Sequence, residues 1–322
     1  MLRILIDLSH KVSKHLVLFG LIVPQGWRGE LNHLSAEKAR DTILNIVRWA
    51  EECEVESLWL YDHFIQHKPS NLGPCFEGWS LLSYLAPITH RVRLGMLVLC
   101  NSYRNPALLA KMAATLDNIS QGRLEFGIGA GWYEEEYKRY GYPYPDAPTR
   151  ISMLDESLQI ITRMWCEEKP SFKGRYYSIK EAYCQPKPIQ RPHPPITVGG
   201  SGRLLLKVAA KYADWTNYGG SVERVKKLHS ILEGWCRSIG RDAKSIRRSI
   251  HWLGVLGKTR EEAIRKVRST GLEPDICGSP EDWLTKINNY AELGFERFII
   301  FLPDAYSEQT RNLLYEGVIS KL

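Results

Sequence analysis

The sequence predicts an α/β chain folded as a (β/α)8 TIM barrel, and three observations carry that prediction. Strand-like and helix-like segments alternate from Val17 to the C-terminus in eight strand–helix units. Several strand segments are unbroken apolar runs, the pattern of parallel strands covered on both faces. The turn after the first strand, Pro24-Gln-Gly-Trp27, lacks the G-x-G-x-x-G fingerprint of a doubly wound open sheet. Parallel strands need helical crossovers, and eight such units close on themselves.

The first strand is Val17-Leu-Phe-Gly-Leu-Ile-Val-Pro24, followed by a helix capped by Ser35 with Ala39, Ile43, Ile46, Val47 and Ala50 on its core side. Ser57-Leu-Trp-Leu60 is the second strand and runs into Asp62-His63; a helix follows over 77–88. Val92 to Leu99 is the third strand, and Pro106 opens the next helix at its first turn. Gly122 to Gly129 is the fourth strand, with an amphipathic helix over 149–165. The rhythm then breaks at 166–195, a stretch with six prolines and a hairpin over Pro170–Tyr177, read as an insertion covering one end of the barrel. Strands at 195–199, 214–217, 249–256 and 295–301, with helices over 203–212 and 222–239, complete the set. A second insertion, 259–293, carries two helices. The domain organisation is an N-terminal extension, 1–16, before a single barrel domain, 17–322.

Composition narrows the function. A hydrophobic content of 44% with 10 Trp and 16 Tyr supports a large core and excludes disorder. The net charge of +7 is scattered, and its densest group, Arg241 to Arg248, is broken by apolar residues, so it reads as a solvated face rather than a nucleic-acid patch. Seven dispersed cysteines without a C-x-x-C pair indicate neither disulfides nor zinc and fit a reducing cytoplasm. Met1 to Leu8 is short and charged, unlike a signal peptide, and no apolar run reaches membrane-spanning length. A cytoplasmic enzyme acting on a small molecule is expected, with no nucleic-acid, membrane or metal partner.

Chemistry in such a barrel sits at the C-terminal strand ends. Taken in order, these collect Gln25 and Trp27; Asp62, His63 and Phe64; Leu97, Val98 and Asn101; Ala130, Gly131 and Trp132; Gly199 to Gly202; Asn217; and His251. The set mixes aromatic surfaces, glycine turns and one proton-transfer candidate, His63, since histidine is the side chain whose ordinary pKa lies nearest neutrality. It suits a flat heteroaromatic cofactor bearing a phosphate. Val198-Gly-Gly-Ser-Gly202 precedes a helix starting near Arg203, where free amides and the helix dipole favour an anion. Gly127-Ile-Gly-Ala-Gly131 reads equally as ligand contact or as close backbone packing.

Five motifs in order, Asp62-His63-Phe64, Arg91-Val-Arg-Leu-Gly95, Arg104-Asn-Pro-Ala107, Gly122 to Gly131 and Val198 to Gly202, resemble the luciferase-like flavin and deazaflavin oxidoreductases. The branch using the deazaflavin coenzyme F420 is the nearest. The resemblance implies a bacterial-luciferase-like barrel, commonly a homodimer, with F420 at the C-terminal mouth and FMN-dependent monooxygenation as the alternative chemistry. A non-catalytic cofactor-binding barrel is the third reading. The resemblance further implies a cis peptide at Leu97–Val98 behind the ring, phosphate binding at Gly199, Gly200, Ser201 and Gly202, and Ala130, Gly131 and Glu135 along the cofactor. Asp62 and Asn101 belong to the same cofactor set, and His63 stands over the substrate face as the catalytic residue. Gln25, Trp27, Trp132 and His251 are expected in the substrate pocket. In the sugar-phosphate dehydrogenase branch an acidic residue follows the fourth-strand glycines; here Trp132 occupies that place, with Glu134, Glu135 and Glu136 further on. That departure leaves His63 without its expected acidic colleague and points to a more apolar substrate.

Overall fold

The computed structural model describes residues 17–67 and 73–322; the predicted N-terminal extension lies outside them. The elements in chain order are β1 (Leu18–Ile22), α1 (Ala36–Glu52), β2 (Ser57–Leu60), α2 (Gly78–Leu85), β3 (Arg93–Met96), β4 (Leu99–Cys100), α3 (Pro106–Ile119), β5 (Leu124–Gly129), α4 (Glu134–Arg139) and α5 (Ala147–Cys166). They continue as β6 (Phe172–Lys173), β7 (Ser178–Ile179), β8 (Ile196–Gly199), α6 (Arg203–Tyr212), β9 (Trp215–Asn217), α7 (Val222–Ser238), β10 (Arg247–Leu256), α8 (Arg260–Thr270), β11 (Ile276–Gly278), α9 (Pro280–Ala291), β12 (Arg297–Phe301) and α10 (Glu308–Gly317).

Strands β1, β2, β3, β5, β8, β9, β10 and β12 pair in parallel around a closed circle, with β12 returning to β1. This is the (β/α)8 barrel that the alternation of segments predicts. Helix starts follow local chemistry. Ser35 accepts from the Lys38 amide, Asn105 from Ala107 and Leu108 just before Pro106, and Ser279 and Asp282 form a reciprocal capping box. Each outer helix then buries one stripe, in α1 the five residues from Ala39 to Ala50 that the spacing selects.

The barrel floor is polar. Arg297, only 2% exposed, bonds Glu125 at 3.0 Å and Glu56 at 2.7 Å, and Arg93 also reaches Glu125. Its guanidinium lies 4.1 Å from the Trp215 ring centre and 5.5 Å from that of Trp59.

The two insertions behave differently. Between α8 and α9 the chain adds β11 beside β10, extending the wall. The 166–195 insertion contains the expected hairpin as β6–β7, and it runs mainly along the outer helices, reaching a barrel end where Gln190 bonds Arg93 and the Leu124 carbonyl. It climbs along α5, where the Glu156 carboxylate accepts the amides of Arg175, Tyr176 and Tyr177. It then returns in the groove between α3 and α5, with Lys187 donating to the Met164 carbonyl and Gln190 to Asp117. Among the described residues no helix is long and apolar enough to cross a membrane.

Candidate active site

The strand ends enclose a cavity of about 360 Å³ at the C-terminal mouth. Its floor is formed by Leu97, Val98, Ala130 and Leu205, and the Leu97–Val98 peptide is cis. The loop after β5 brings Gly131, Trp132 and Tyr133 to the rim, while Gly199 and Gly200 close the side beside α6. A side chain at Gly199 would meet Val98 at 2.7 Å, so glycine there lets the two strand ends approach.

His63 leaves the end of β2 and lies flat on the Trp27 indole, ring centres 4.3 Å apart and planes 6° from parallel. Trp132 and Tyr133 present their edges to it at 5.9 and 5.8 Å. Its Nδ1 is 2.8 Å from Oε2 of Glu136, a fully buried carboxylate on α4. The other Glu136 oxygen accepts the amides of Phe64 (2.7 Å) and Ile65 (3.2 Å), and the Tyr103 hydroxyl donates to Oε2 at 3.0 Å. A buried acidic partner of His63 is therefore present, four residues beyond Trp132.

A second histidine differs. His251 Nε2 and the Tyr61 hydroxyl share a hydrogen bond of 2.8 Å in the cavity wall. Burial, aided by the nearby Arg28 charge, pushes the His251 pKa down to about 3, so the ring stays neutral at working pH. Burial also raises the Tyr61 phenol far above its ordinary value.

The glycine turn leads into α6, whose first residue is Arg203 and whose N-cap, Gly202, has no side chain to satisfy the free amides. Arg224 of α7 donates to Ser201 Oγ at 2.8 Å, placing a guanidinium beside that helix end. Amides, helix dipole and a cation make a donor set suited to a phosphate. Together with the apolar Leu97, Val98, Ala130 and Leu205 of the cavity, these residues fit a phosphate-bearing deazaflavin or flavin.

Of the predicted site residues, Asp62, His63, Leu97, Val98, Ala130, Gly131, Trp132, Gly199, Gly200 and His251 line this one cavity. Others take different places. Asp62 reaches the lining, but its carboxylate is spent on Arg104 (2.8 and 2.9 Å) and the Cys100 amide (2.7 Å), so it holds β4 in place and has little left for a cofactor. Gln25 is fully buried; its amide group bonds both N and O of Tyr61 and the Phe76 carbonyl, tying β1 to β2 outside the substrate space. Trp27 is the platform under His63 and not part of the cavity wall. Asn101 is buried, 3.5 Å from the Tyr177 hydroxyl. Glu135 points to solvent and pairs with Arg139, because its helix turns Glu136 inward instead. Ser201 and Gly202 stand beside the cavity, at the α6 end.

Glu136, Tyr61, Tyr103 and Arg224 escape the reading of strand ends. Glu136 did leave a signal. On α4, Glu134 pairs with Lys138 and Glu135 with Arg139 at i,i+4, whereas the i+4 neighbour of Glu136 is Tyr140. Among the described residues no group of three His, Cys, Asp or Glu side chains could hold a metal ion.

The profile described as luciferase-like monooxygenase matches residues 19–273. An F420-dependent glucose-6-phosphate dehydrogenase of Amycolatopsis mediterranei is 28% identical over 320 residues, 88% of this chain and 94% of that protein. An FMNH2-dependent dimethylsulfone monooxygenase of Pseudomonas putida is 36% identical over 124 residues, 38% of this chain; the match spans about a third of that protein, 34%. Among solved structures, an F420-dependent secondary alcohol dehydrogenase in complex with an F420–acetone adduct superposes with a TM-score of 0.78 at 19% identity, covering 94% of this chain and 98% of that one.

Proposed function

We propose that this chain, which belongs to the luciferase-like monooxygenase family, transfers a hydride between coenzyme F420 and a small uncharged organic substrate. The observation that carries the proposal is His63, backed by a buried carboxylate and held at the edge of an apolar cavity behind the Leu97–Val98 bulge. Its relatives of near-full length include F420-dependent dehydrogenases, which supports the deazaflavin over FMN.

A bound deazaflavin supplies a ring carbon that gives or takes a hydride. The protein does the rest. Leu97, Val98 and Ala130 offer an apolar surface for the ring and exclude water. The amides at the start of α6, with Arg224 at their side, hold the phosphate. His63 gives a proton to the substrate oxygen, or removes one in the oxidative direction, while Trp27 keeps the imidazole plane fixed. The neutral His251–Tyr61 pair provides a second polar contact for that oxygen or a neighbouring group.

No Lys or Arg lines the described cavity, and Asp62 is matched by Arg104. Among the described lining residues a sugar phosphate would find no cation, the Arg28 charge acting on His251 and Tyr61 from outside that lining, and a charge placed against Trp132, Tyr133 and Leu97 is costly. An uncharged carbonyl or alcohol carries no such cost.

Titration of the apo-protein with F420 and, separately, with FMN, followed by fluorescence, tests the cofactor. Saturable micromolar binding of F420 with weaker FMN binding is expected. The reverse order moves the assignment to a flavin monooxygenase, which the partial match to the dimethylsulfone enzyme favours.

A further inference from the structure

We infer that Glu136 is a positioning residue that holds the Nδ1 proton of His63 and leaves Nε2 as the atom through which His63 exchanges protons with a substrate. The inference rests on the reading of His63 as the proton partner. It deepens that reading by assigning the tautomer and the group that enforces it.

The hydrogen-bond inventory of one carboxylate supports the assignment. Oε1 of Glu136 faces two backbone N–H groups, Phe64 and Ile65, which can only donate. Oε1 therefore carries no hydrogen. Oε2 receives the Tyr103 hydroxyl, which burial keeps protonated. The last neighbour is His63 Nδ1 at 2.8 Å. A carboxylate that already accepts three hydrogen bonds is a full acceptor, and its natural fourth partner is an N–H rather than a lone pair. Nδ1 thus donates. In the neutral ring, Nε2 is then the free acceptor; after proton uptake at Nε2 the imidazolium charge faces Glu136 at 2.8 Å. Stacking on Trp27 fixes the ring plane, and the bond to Glu136 fixes rotation within that plane. Together the two contacts leave the imidazole one orientation.

The step itself is a simple proton balance. In the reductive direction the hydride, which a bound reduced deazaflavin would release from its ring C–H bond, forms the new C–H bond, the carbonyl π pair goes to oxygen, and the Nε2 proton of the His63 imidazolium moves to that oxygen. His63 returns to the neutral ring with its proton on Nδ1. The oxidative direction reverses each move.

A carboxylate that merely tied the 63–65 turn to α4 would have no effect on the histidine tautomer. Glu136→Gln separates the two roles. Its carbonyl keeps the bonds to the Phe64 and Ile65 amides, while its NH2 group faces Nδ1 and can only donate, driving the proton to Nε2. Protein labelled with 15N at histidine, with the His63 resonances assigned through His63→Gln, reports the tautomer by ring-nitrogen chemical shifts and needs neither cofactor nor substrate. With the ring neutral, the wild-type protein is expected to carry the proton on Nδ1 and Glu136→Gln on Nε2. A wild-type ring protonated on Nε2, or a Glu136→Gln ring unchanged from wild type, overturns the inference. Should Glu136→Gln fail to fold, the wild-type tautomer decides alone. With F420 and a turned-over substrate, Glu136→Gln is expected to lower kcat by about 10²-fold with KM nearly unchanged. Failure of F420 to bind would sink the cofactor reading and leave the tautomer result standing.

Discussion

The two ends of the barrel each bury a glutamate against a basic side chain, and they use the pair in opposite ways. At the floor, Glu125 meets Arg297 and Arg93, partners that keep their charge at any working pH. Burial pushes the Glu125 carboxyl up, but the charges and hydrogen bonds of Arg297 and Arg93 together outweigh it and hold the group below its ordinary range. At the mouth, Glu136 meets His63, a partner that can gain or lose a proton during turnover. Under the proposed function, a buried carboxylate is a structural lock when its partner is an arginine and a chemical device when its partner is a histidine. The difference follows from the partner's chemistry, since both glutamates are essentially unexposed.

The comparison is most directly broken at the floor. Arg297→Met leaves Glu125 and Glu56 without their main counter-ion, and a loss of about 3–5 kcal/mol in unfolding free energy is expected in urea titrations. A loss below about 1 kcal/mol would show that the floor is no lock. At the mouth the effect moves from folding to turnover. His63→Gln can still donate to Glu136, so stability is expected to change little while kcat falls by about 10²–10⁴-fold. Unchanged kcat would remove His63 from the chemistry.

Acid titration sharpens the contrast between histidines. The ordinary imidazole value of 6.5 drops to about 3 for His251 and, through burial and the Arg248 charge, to about 4 for His229. Between those values the unfolded chain binds protons that the native state refuses, so stability falls with falling pH there. Their contribution is complete above pH 6.5 and declines below it, down to about pH 4 for His229 and about 3 for His251. Melting temperatures across this range are expected to fall less steeply for His229→Phe than for wild type; parallel curves would refute its role. The smallest effect belongs to the surface. Glu135→Gln removes an exposed pair with Arg139 and is expected to alter stability by less than about 0.5 kcal/mol and leave kcat and cofactor affinity unchanged. A loss of cofactor affinity would restore Glu135 to the site.

Much of the barrel was legible because it follows from local rules. Helical spacing selected the buried stripe of α1, Pro106 and Ser35 marked helix starts, and apolar runs marked the strands. The path of the 166–195 insertion was not legible, since its contacts with Ala110, Asp117 and Met164 are far away in sequence. Nor were the fates of Asp62 and Gln25. Both sit at strand ends, where a functional and a structural polar group look alike until their partners, Arg104 and Tyr61, are in place.

The sequence by itself determined the eight repeating units, the placing of His63 at a strand end and the glycine turn before α6, because period, caps and glycines act within a few residues of themselves. The choice among Glu134, Glu135 and Glu136 belonged to the tertiary structure. Three consecutive glutamates on a six-residue helix differ in sequence only in their i+4 neighbours, and the helix must dock before one of them gains its partners. Docking against Phe64, Ile65 and Tyr103 offers donors to one of them alone, and that one becomes the partner of His63.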